Sequence, residues 1–182
     1  MNFCLWITGL PGSGKSTITK KLQDLLSAAG VENMVLRLDE IRKVLTPEPT
    51  YTDDEREIVY RALAMMAQLM TEHSGKSVII DATGNRRHYR RVARGLIAEF
   101  AEIYVSCPLK ICRERESLRH GKSVERDLYG KAARGELEGQ LPGVTTPYEA
   151  PENPEVMVAS DMLSPSESAE RIMSYIQTRW LC

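Results

Sequence analysis

The chain has 182 residues, enough for one domain that buries a core without disulfide or metal support. Charged residues make up 27% and nearly cancel to a net charge of −1, so no basic field favours a nucleic-acid polymer or an anionic membrane. No apolar run approaches the length of a membrane span. Four cysteines without paired ligand spacing predict reduced thiols in a cytoplasmic protein, rather than zinc ligands or disulfides.

Apolar, β-rich runs alternate with helical patterns along the chain, which predicts an α/β domain with a parallel sheet and crossover helices. We expect strands near 3–8, 33–38, 77–80, 101–105 and 155–158. We expect helices near 15–29, 53–74, 86–99, 109–117 and 166–179. The prediction is a five-stranded, mostly parallel sheet flanked by helices in a single domain, 1–182. Ligands of such sheets bind at the carboxyl ends of the strands, so the residues after each strand are the candidates for function.

The first strand leads into a complete phosphate-binding P-loop, G-x-x-x-x-G-K-[ST], and a helical pattern follows it. Glycines let the backbone curl so that its N–H groups point at phosphates, and the helix N-terminus adds its positive dipole end. The predicted nucleotide-binding residues are Gly9, Pro11, Gly12, Ser13, Gly14, Lys15, Ser16 and Thr17. Lys15 would reach the β- and γ-phosphates, and Ser16 would hold Mg²⁺. The alternative is a glycine turn that binds nothing.

The second strand ends in Leu38-Asp39-Glu40-Ile41-Arg42, which places a carboxylate one helical turn before a guanidinium. Asp39 could take the proton of an acceptor hydroxyl, and Arg42 could neutralise a phosphate or sulfate on that acceptor. We therefore predict that Asp39 and Arg42, together with Lys15, are catalytic. The alternative is an aspartate that caps a short helix beside a surface arginine.

Asp81 follows the third strand and precedes a basic cluster that begins at Arg86. A strand-end aspartate in a P-loop fold commonly supports Mg²⁺ or its water shell, and helix capping is the alternative. Arg86 and Arg90 lie one helical turn apart and are our predicted pair for an anionic acceptor.

The stretch from about 113 to 154 is charged and punctuated by glycines, which is typical of a mobile basic lid. A closing lid excludes water, so that the phosphate is transferred to an acceptor rather than hydrolysed. We predict that Arg113 or Arg115 contacts the nucleotide base. A solvated, charged hairpin is the alternative.

Several motifs together resemble the adenylylsulfate kinase family of P-loop kinases. The resemblance is carried by the P-loop, by Asp39 to Arg42, by Leu128-Tyr129-Gly130-Lys131-Ala132 and, most specifically, by Pro147-Tyr148-Glu149-Ala150-Pro151-Glu152-Asn153-Pro154. It implies a three-layer P-loop NTPase fold of the nucleoside-kinase type and suggests a homodimer. It also implies ATP- and Mg²⁺-dependent phosphorylation of the 3′-hydroxyl of adenosine 5′-phosphosulfate. Lys131 would be a lid contact to this small nucleotide acceptor.

Departures from the family motifs concentrate where the acceptor binds. The family's Asn-Ile-Arg-Arg reads Val59-Tyr60-Arg61-Ala62, which keeps Arg61 as a candidate acceptor contact, and Ile-Ser-Pro-Tyr-Arg is replaced by residues 82–86. Leu141 stands where the family's lid phenylalanine covers the adenine, and an aliphatic side chain cannot stack as a ring does. Residues 51–91 instead resemble a broader group of P-loop kinases with an Asp-Ala-Thr motif. The alternatives are therefore phosphorylation of a different nucleotide or small hydroxyl and, less favoured, a nucleotide-dependent switch.

Overall fold

A computed structural model describes residues 1–118, 128–136 and 139–181. Its strands are β1 (Cys4–Thr8), β2 (Asn33–Arg37), β3 (Ser77–Asp81), β4 (Phe100–Ser106) and β5 (Val156–Ala159). Its helices are α1 (Lys15–Ala28), α2 (Leu38–Leu45), α3 (Asp53–His73), α4 (Arg87–Leu96), α5 (Leu109–Ser117), α6 (Leu128–Arg134) and α7 (Pro165–Ile176), and a π-helical turn follows at Gln177–Leu181.

The five strands form one sheet in the order β2-β3-β1-β4-β5, and each neighbouring pair is parallel. Ile7 on the central strand β1 pairs with Asp81 on β3, and Thr8 pairs with Tyr104 on β4. The carboxyl ends of these strands therefore meet at one edge of the sheet, where the P-loop begins. The predicted α/β class and parallel sheet are confirmed.

Both faces of the sheet are buried at its central strands, because helices cover each side. Leu5 and Ile7 of β1 belong to a cluster that α1 and α7 complete, whereas Cys4 and Trp6 belong to a cluster with α3 and α4. All five residues of β1 are buried. This explains why the strand reads as an almost continuous apolar run rather than an alternating one.

Two short helices, α2 and α6, were not among the predicted elements. Helix α2 begins directly after β2, has no side-chain cap and buries only Leu38. Helix α6 has seven residues, too few to give a clear hydrophobic period. The start of α7 was predicted well, because Ser164 and Glu167 form a reciprocal capping box around Pro165.

Candidate active site

The P-loop has the backbone conformation that its glycines predict. Gly12 has a φ of +78°, and a Cβ placed there would lie 2.4 Å from the carbonyl oxygen of Cys112. Gly14 has a φ of +96° and precedes the first turn of α1. The Lys15 ammonium donates to the carbonyl oxygens of Gly9 and Leu10, at 3.0 Å each. The loop therefore curls around its own lysine at the N-terminus of a helix, which is an arrangement suited to phosphate.

Two side chains from distant segments hold the P-loop backbone in place. The Ser160 hydroxyl, at the end of β5, donates to the Ser13 carbonyl oxygen at 2.7 Å. The Tyr129 hydroxyl, on α6, donates to the Pro11 carbonyl oxygen at 2.8 Å. The conformation of the loop thus depends on residues more than a hundred positions away in the chain, and sequence reasoning had identified neither of them as a site residue.

A cavity of about 450 Å³ lies beside the P-loop and the first turn of α1. Its lining includes Gly14, Thr17, Arg115 and residues 160–165. The Arg115 guanidinium donates to the hydroxyl and the carbonyl oxygen of Ser160, at 3.1 and 2.7 Å. Of the two predicted base contacts, Arg115 therefore lies at this cavity.

Arg113 points to a different place. Its guanidinium carbon lies 5.7 Å from the centre of the Tyr129 ring, and it lines a separate cavity of about 370 Å³ with Tyr129 and Val144. The two arginines are two residues apart on α5, so they project from different sides of the helix. This geometry favours Arg115 over Arg113 as the contact to the base.

The two residues predicted to meet the acceptor, Asp39 and Arg42, lie on α2. Asp39 is exposed in the first turn of the helix, and no side-chain cap is formed there. The Arg42 guanidinium lies 2.9 Å from a carboxylate oxygen of Glu55 and 5.5 Å from the centre of the Tyr51 ring. Glu55 also accepts two hydrogen bonds from Thr50, at 2.5 and 2.7 Å. Arg42 is therefore held on two sides, whereas the Asp39 carboxylate faces solvent.

The same contacts shift the pKa of the Glu55 carboxyl. Its partial burial raises its pKa, and the hydrogen bonds from Thr50 and Arg42 lower it by more, so the net shift is downward. Glu55 therefore stays ionised at neutral pH and keeps its ion pair with Arg42.

Asp81 is 8% exposed at the end of β3, in register with Ile7, the penultimate residue of the strand that enters the P-loop. Its side chain has no hydrogen bond to any residue that the structure describes. Ser16 is exposed at the start of α1. A hydroxyl and a carboxylate are oxygen ligands of the kind that Mg²⁺ prefers, so the two residues fit the predicted metal site.

Like Arg42, the other three predicted acceptor arginines have partners within the protein. Arg86 is exposed and lies 2.7 Å from an Asp53 carboxylate oxygen, and Arg61 is exposed and lies 2.6 Å from Glu57. Arg90 differs from both, because it is 1% exposed and its guanidinium donates to Glu102 and to the carbonyl oxygens of Gly84 and Glu149. Its donors are engaged inside the protein, which favours a structural role for Arg90, and its role as an acceptor contact stays a prediction.

The predicted lid, 113–154, is described in part, since residues 119–127 and 137–138 lie outside the described residues. Lys131 is half-buried on α6. Leu141 is 3% exposed and packs in a small cluster with Cys107, Cys112 and Tyr129. In this structure Leu141 therefore belongs to an apolar cluster behind the P-loop, rather than to an open surface that could cover a base.

Cys4, Cys107 and Cys112 are free and buried, as the reduced-thiol prediction requires, while Cys182 lies outside the described residues. Burial, and to a smaller extent the neighbouring Cys107, raises the pKa of the Cys112 thiol to about 12, so this thiol stays protonated. Among the described helices, none combines the length and the apolar character needed to cross a bilayer.

Comparisons with known proteins find relatives over most of the chain. The sequence profile of the adenylylsulphate kinase family matches residues 1–159. The chain is 37% identical over 171 residues to the probable adenylyl-sulfate kinase of Pyrococcus abyssi, an alignment that covers 94% of this chain and 92% of that protein. It is 35% identical over 168 residues to the adenylyl-sulfate kinase of Microcystis aeruginosa, with 92% and 87% covered.

A solved structure gives the same relationship in three dimensions. The Mycobacterium tuberculosis APS kinase, in complex with AMPPNP and APS, matches with a TM-score of 0.84 and 27% identity over 97% of this chain and 98% of that one. The P-loop, the cavity beside it and the match over most of the chain lead to one conclusion. The chain belongs to the adenylylsulphate kinase family and is an ATP-dependent phosphotransferase that acts on a hydroxyl group.

Proposed function

We propose that the protein transfers the γ-phosphate of ATP to the 3′-hydroxyl of adenosine 5′-phosphosulfate, which produces the activated sulfate donor. The observation that carries the proposal is a complete P-loop after β1 together with Asp39 and Arg42 after β2. In the sheet only β3 lies between these two strands. The family membership and the solved relative that binds APS support the choice of acceptor.

The proposed roles follow from the chemistry of each side chain. Lys15 and the P-loop amides bind the β- and γ-phosphates, and Arg115 borders the base. Asp39 accepts the proton of the attacking hydroxyl, and Arg42, oriented by Glu55, neutralises an anionic group of the acceptor. Catalysis then rests on alignment of the hydroxyl with the γ-phosphate and on stabilisation of the charge that spreads over the transferring group.

Ser16 and Asp81 would hold Mg²⁺, which supplies positive charge to the phosphates when it is bound. Arg61, Arg86 and Lys131 stay proposed acceptor contacts. We also place the protein in the cytoplasm, in keeping with its three buried free thiols, and expect a homodimer, which light scattering can measure.

The first experiment is incubation with Mg-ATP and adenosine 5′-phosphosulfate, followed by mass spectrometry of the products. We expect ADP and the 3′-phosphorylated nucleotide in equal amounts. Lys15→Ala and Asp39→Asn should each lower kcat at least about 100-fold, in line with the size of general-base and charge-stabilising effects. Lys20→Ala and Glu40→Gln are matched controls, because both residues are exposed neighbours on the same helices.

The alternative acceptor, a related nucleotide or another small hydroxyl compound, is favoured by one observation. Residues 82–86 and Tyr60 depart from the family motifs, and the Tyr60 hydroxyl accepts a hydrogen bond from the Gly84 amide at 3.2 Å. If another nucleotide stimulates ADP formation and adenosine 5′-phosphosulfate does not, that nucleotide is the acceptor. The phosphotransfer mechanism would remain as proposed.

A further inference from the structure

The β3–α4 loop, residues 82–86, is fixed by side chains that reach it from other elements. The Trp6 indole N–H, on β1, donates to the Ala82 carbonyl oxygen at 3.0 Å. The Tyr60 hydroxyl, on α3, accepts from the Gly84 amide at 3.2 Å. Backbone groups that usually bind water are thus satisfied inside the protein, and the loop has little freedom to adjust to a bound molecule.

Thr8 connects this loop to the P-loop. It is the last residue of β1 and directly precedes Gly9. Its hydroxyl donates to the Thr83 carbonyl oxygen at 2.5 Å and lies 3.0 Å from the Tyr148 hydroxyl. A threonine hydroxyl has one hydrogen, and Thr8 gives it to a carbonyl that can only accept, so Tyr148 is the donor in the second bond. Two hydrogen bonds therefore run from Tyr148 through Thr8 to Thr83.

Tyr148 belongs to a return segment, residues 147–152, that is attached to the same loop. The Glu149 amide donates to the Asn85 carbonyl oxygen at 2.8 Å, and Arg90 donates to the Glu149 carbonyl oxygen at 2.6 Å. Burial raises the pKa of the Tyr148 phenol above its ordinary value. The phenol therefore remains protonated, and able to donate, throughout the neutral range.

We propose that Tyr148 is a positioning residue that fixes the two halves of the site relative to each other. Through Thr8 it links the P-loop, which holds the γ-phosphate, to the β3–α4 loop on the acceptor side. This inference rests on the proposed function. A misplacement of about 1 Å between reacting groups can cost on the order of 100-fold in rate, so one bond at this junction influences transfer without touching either substrate. A loosened junction also lets water compete for the phosphate.

The test compares Tyr148→Phe with Tyr104→Phe. The two rings stack with centroids 6.3 Å apart, but the Tyr104 hydroxyl makes no hydrogen bond within the described part of the chain, so the same change there is the matched control. For Tyr148→Phe we expect kcat to fall about tenfold, KM for ATP to change less than about twofold, and ADP to exceed phosphorylated product. Tyr104→Phe should keep equal amounts of the two products.

Changes at Thr8 supply a second check on the same bonds. Thr8→Ser keeps the hydroxyl and should behave like the wild type, whereas Thr8→Val should resemble Tyr148→Phe. The double variant Thr8→Val/Tyr148→Phe should be no worse than Thr8→Val alone, because both changes break one chain of bonds. A residue that merely supports folding would lower the melting temperature without changing the ratio of ADP to product.

Amide hydrogen exchange, measured with and without a bound non-hydrolysable ATP analogue, tests the connection between the P-loop and the β3–α4 loop without any acceptor. We expect the analogue to slow exchange in residues 82–86 of the wild type and of Tyr104→Phe, and not of Tyr148→Phe. If the wild type makes no product from adenosine 5′-phosphosulfate but this difference appears, the acceptor assignment fails and the positioning role stands. If Tyr148→Phe and Tyr104→Phe match in both product ratio and exchange, the inference is refuted.

Discussion

Replacement of Arg90 by methionine separates a structural role from a role in binding the acceptor. Methionine has a similar reach but no donors, so the Glu102 carboxylate and the carbonyl oxygens of Gly84 and Glu149 would lose their partner. Removal of one member of a buried ion pair costs about 3–5 kcal/mol. Arg94 remains 3.7 Å from Glu102, so we expect the lower end, about 3 kcal/mol.

For a chain of this size, 1 kcal/mol corresponds to about 2–4 °C, so the melting temperature of Arg90→Met should fall by about 6–12 °C. Differential scanning calorimetry measures the shift, and steady-state kinetics at a temperature where both proteins are folded measures KM for the acceptor. Arg86→Met is the control for the melting temperature only, because its ion pair with Asp53 is exposed and is worth less than about 1 kcal/mol. An unchanged melting temperature with a raised acceptor KM for Arg90→Met would refute the structural assignment.

Two further substitutions test the P-loop and the edge of the sheet. Gly12→Ala should weaken ATP binding, measured by calorimetry, at least about tenfold, because the added Cβ would lie 2.4 Å from the Cys112 carbonyl oxygen. Gly75→Ala is the control, because Gly75 has a φ of +72° but open space around it, and this change should cost only about 1 kcal/mol of stability. Burial raises the pKa of Glu155, but its hydrogen bonds, mainly from Arg94, lower the pKa by more, so the pKa lies below the ordinary value of 4.5. The ionised Glu155 carboxylate therefore adds to the free energy of unfolding at neutral pH, and this contribution is lost as the pH falls through the lowered pKa. In urea unfolding, Glu155→Gln should be less stable than the wild type at pH 7, and the difference should shrink below about pH 4.5.

The phosphate-binding half of the site was predictable from the sequence because its parts are contiguous. One strand, six residues of loop and the first turn of a helix contain the glycines, the lysine and the hydroxyl that the chemistry needs. Gly12 and Gly14 have the positive φ values that the motif requires. The strand ends were also placed to within one residue, since buried parallel strands give clear apolar runs.

The sequence could not predict which arginines point into the protein. Helix α4 carries arginines around its circumference, so the spacing of Arg86 and Arg90 could not reveal which one turns inward. Packing of α4 on the sheet sets the phase of the helix and buries Arg90 against Glu102. In the same way, only the path of α5 past the end of β5 distinguishes Arg115 from Arg113.

The sequence by itself determined the fold class, the nucleotide-binding loop and the reaction type, because short-range patterns encode them. Tertiary structure alone decided which distant side chains complete the site. Thr8 and Tyr148 are 140 positions apart and meet only because the sheet order places the end of β1 beside the return segment. Hydrogen bonds between such residues depend on the packing of whole elements, and no local pattern records them.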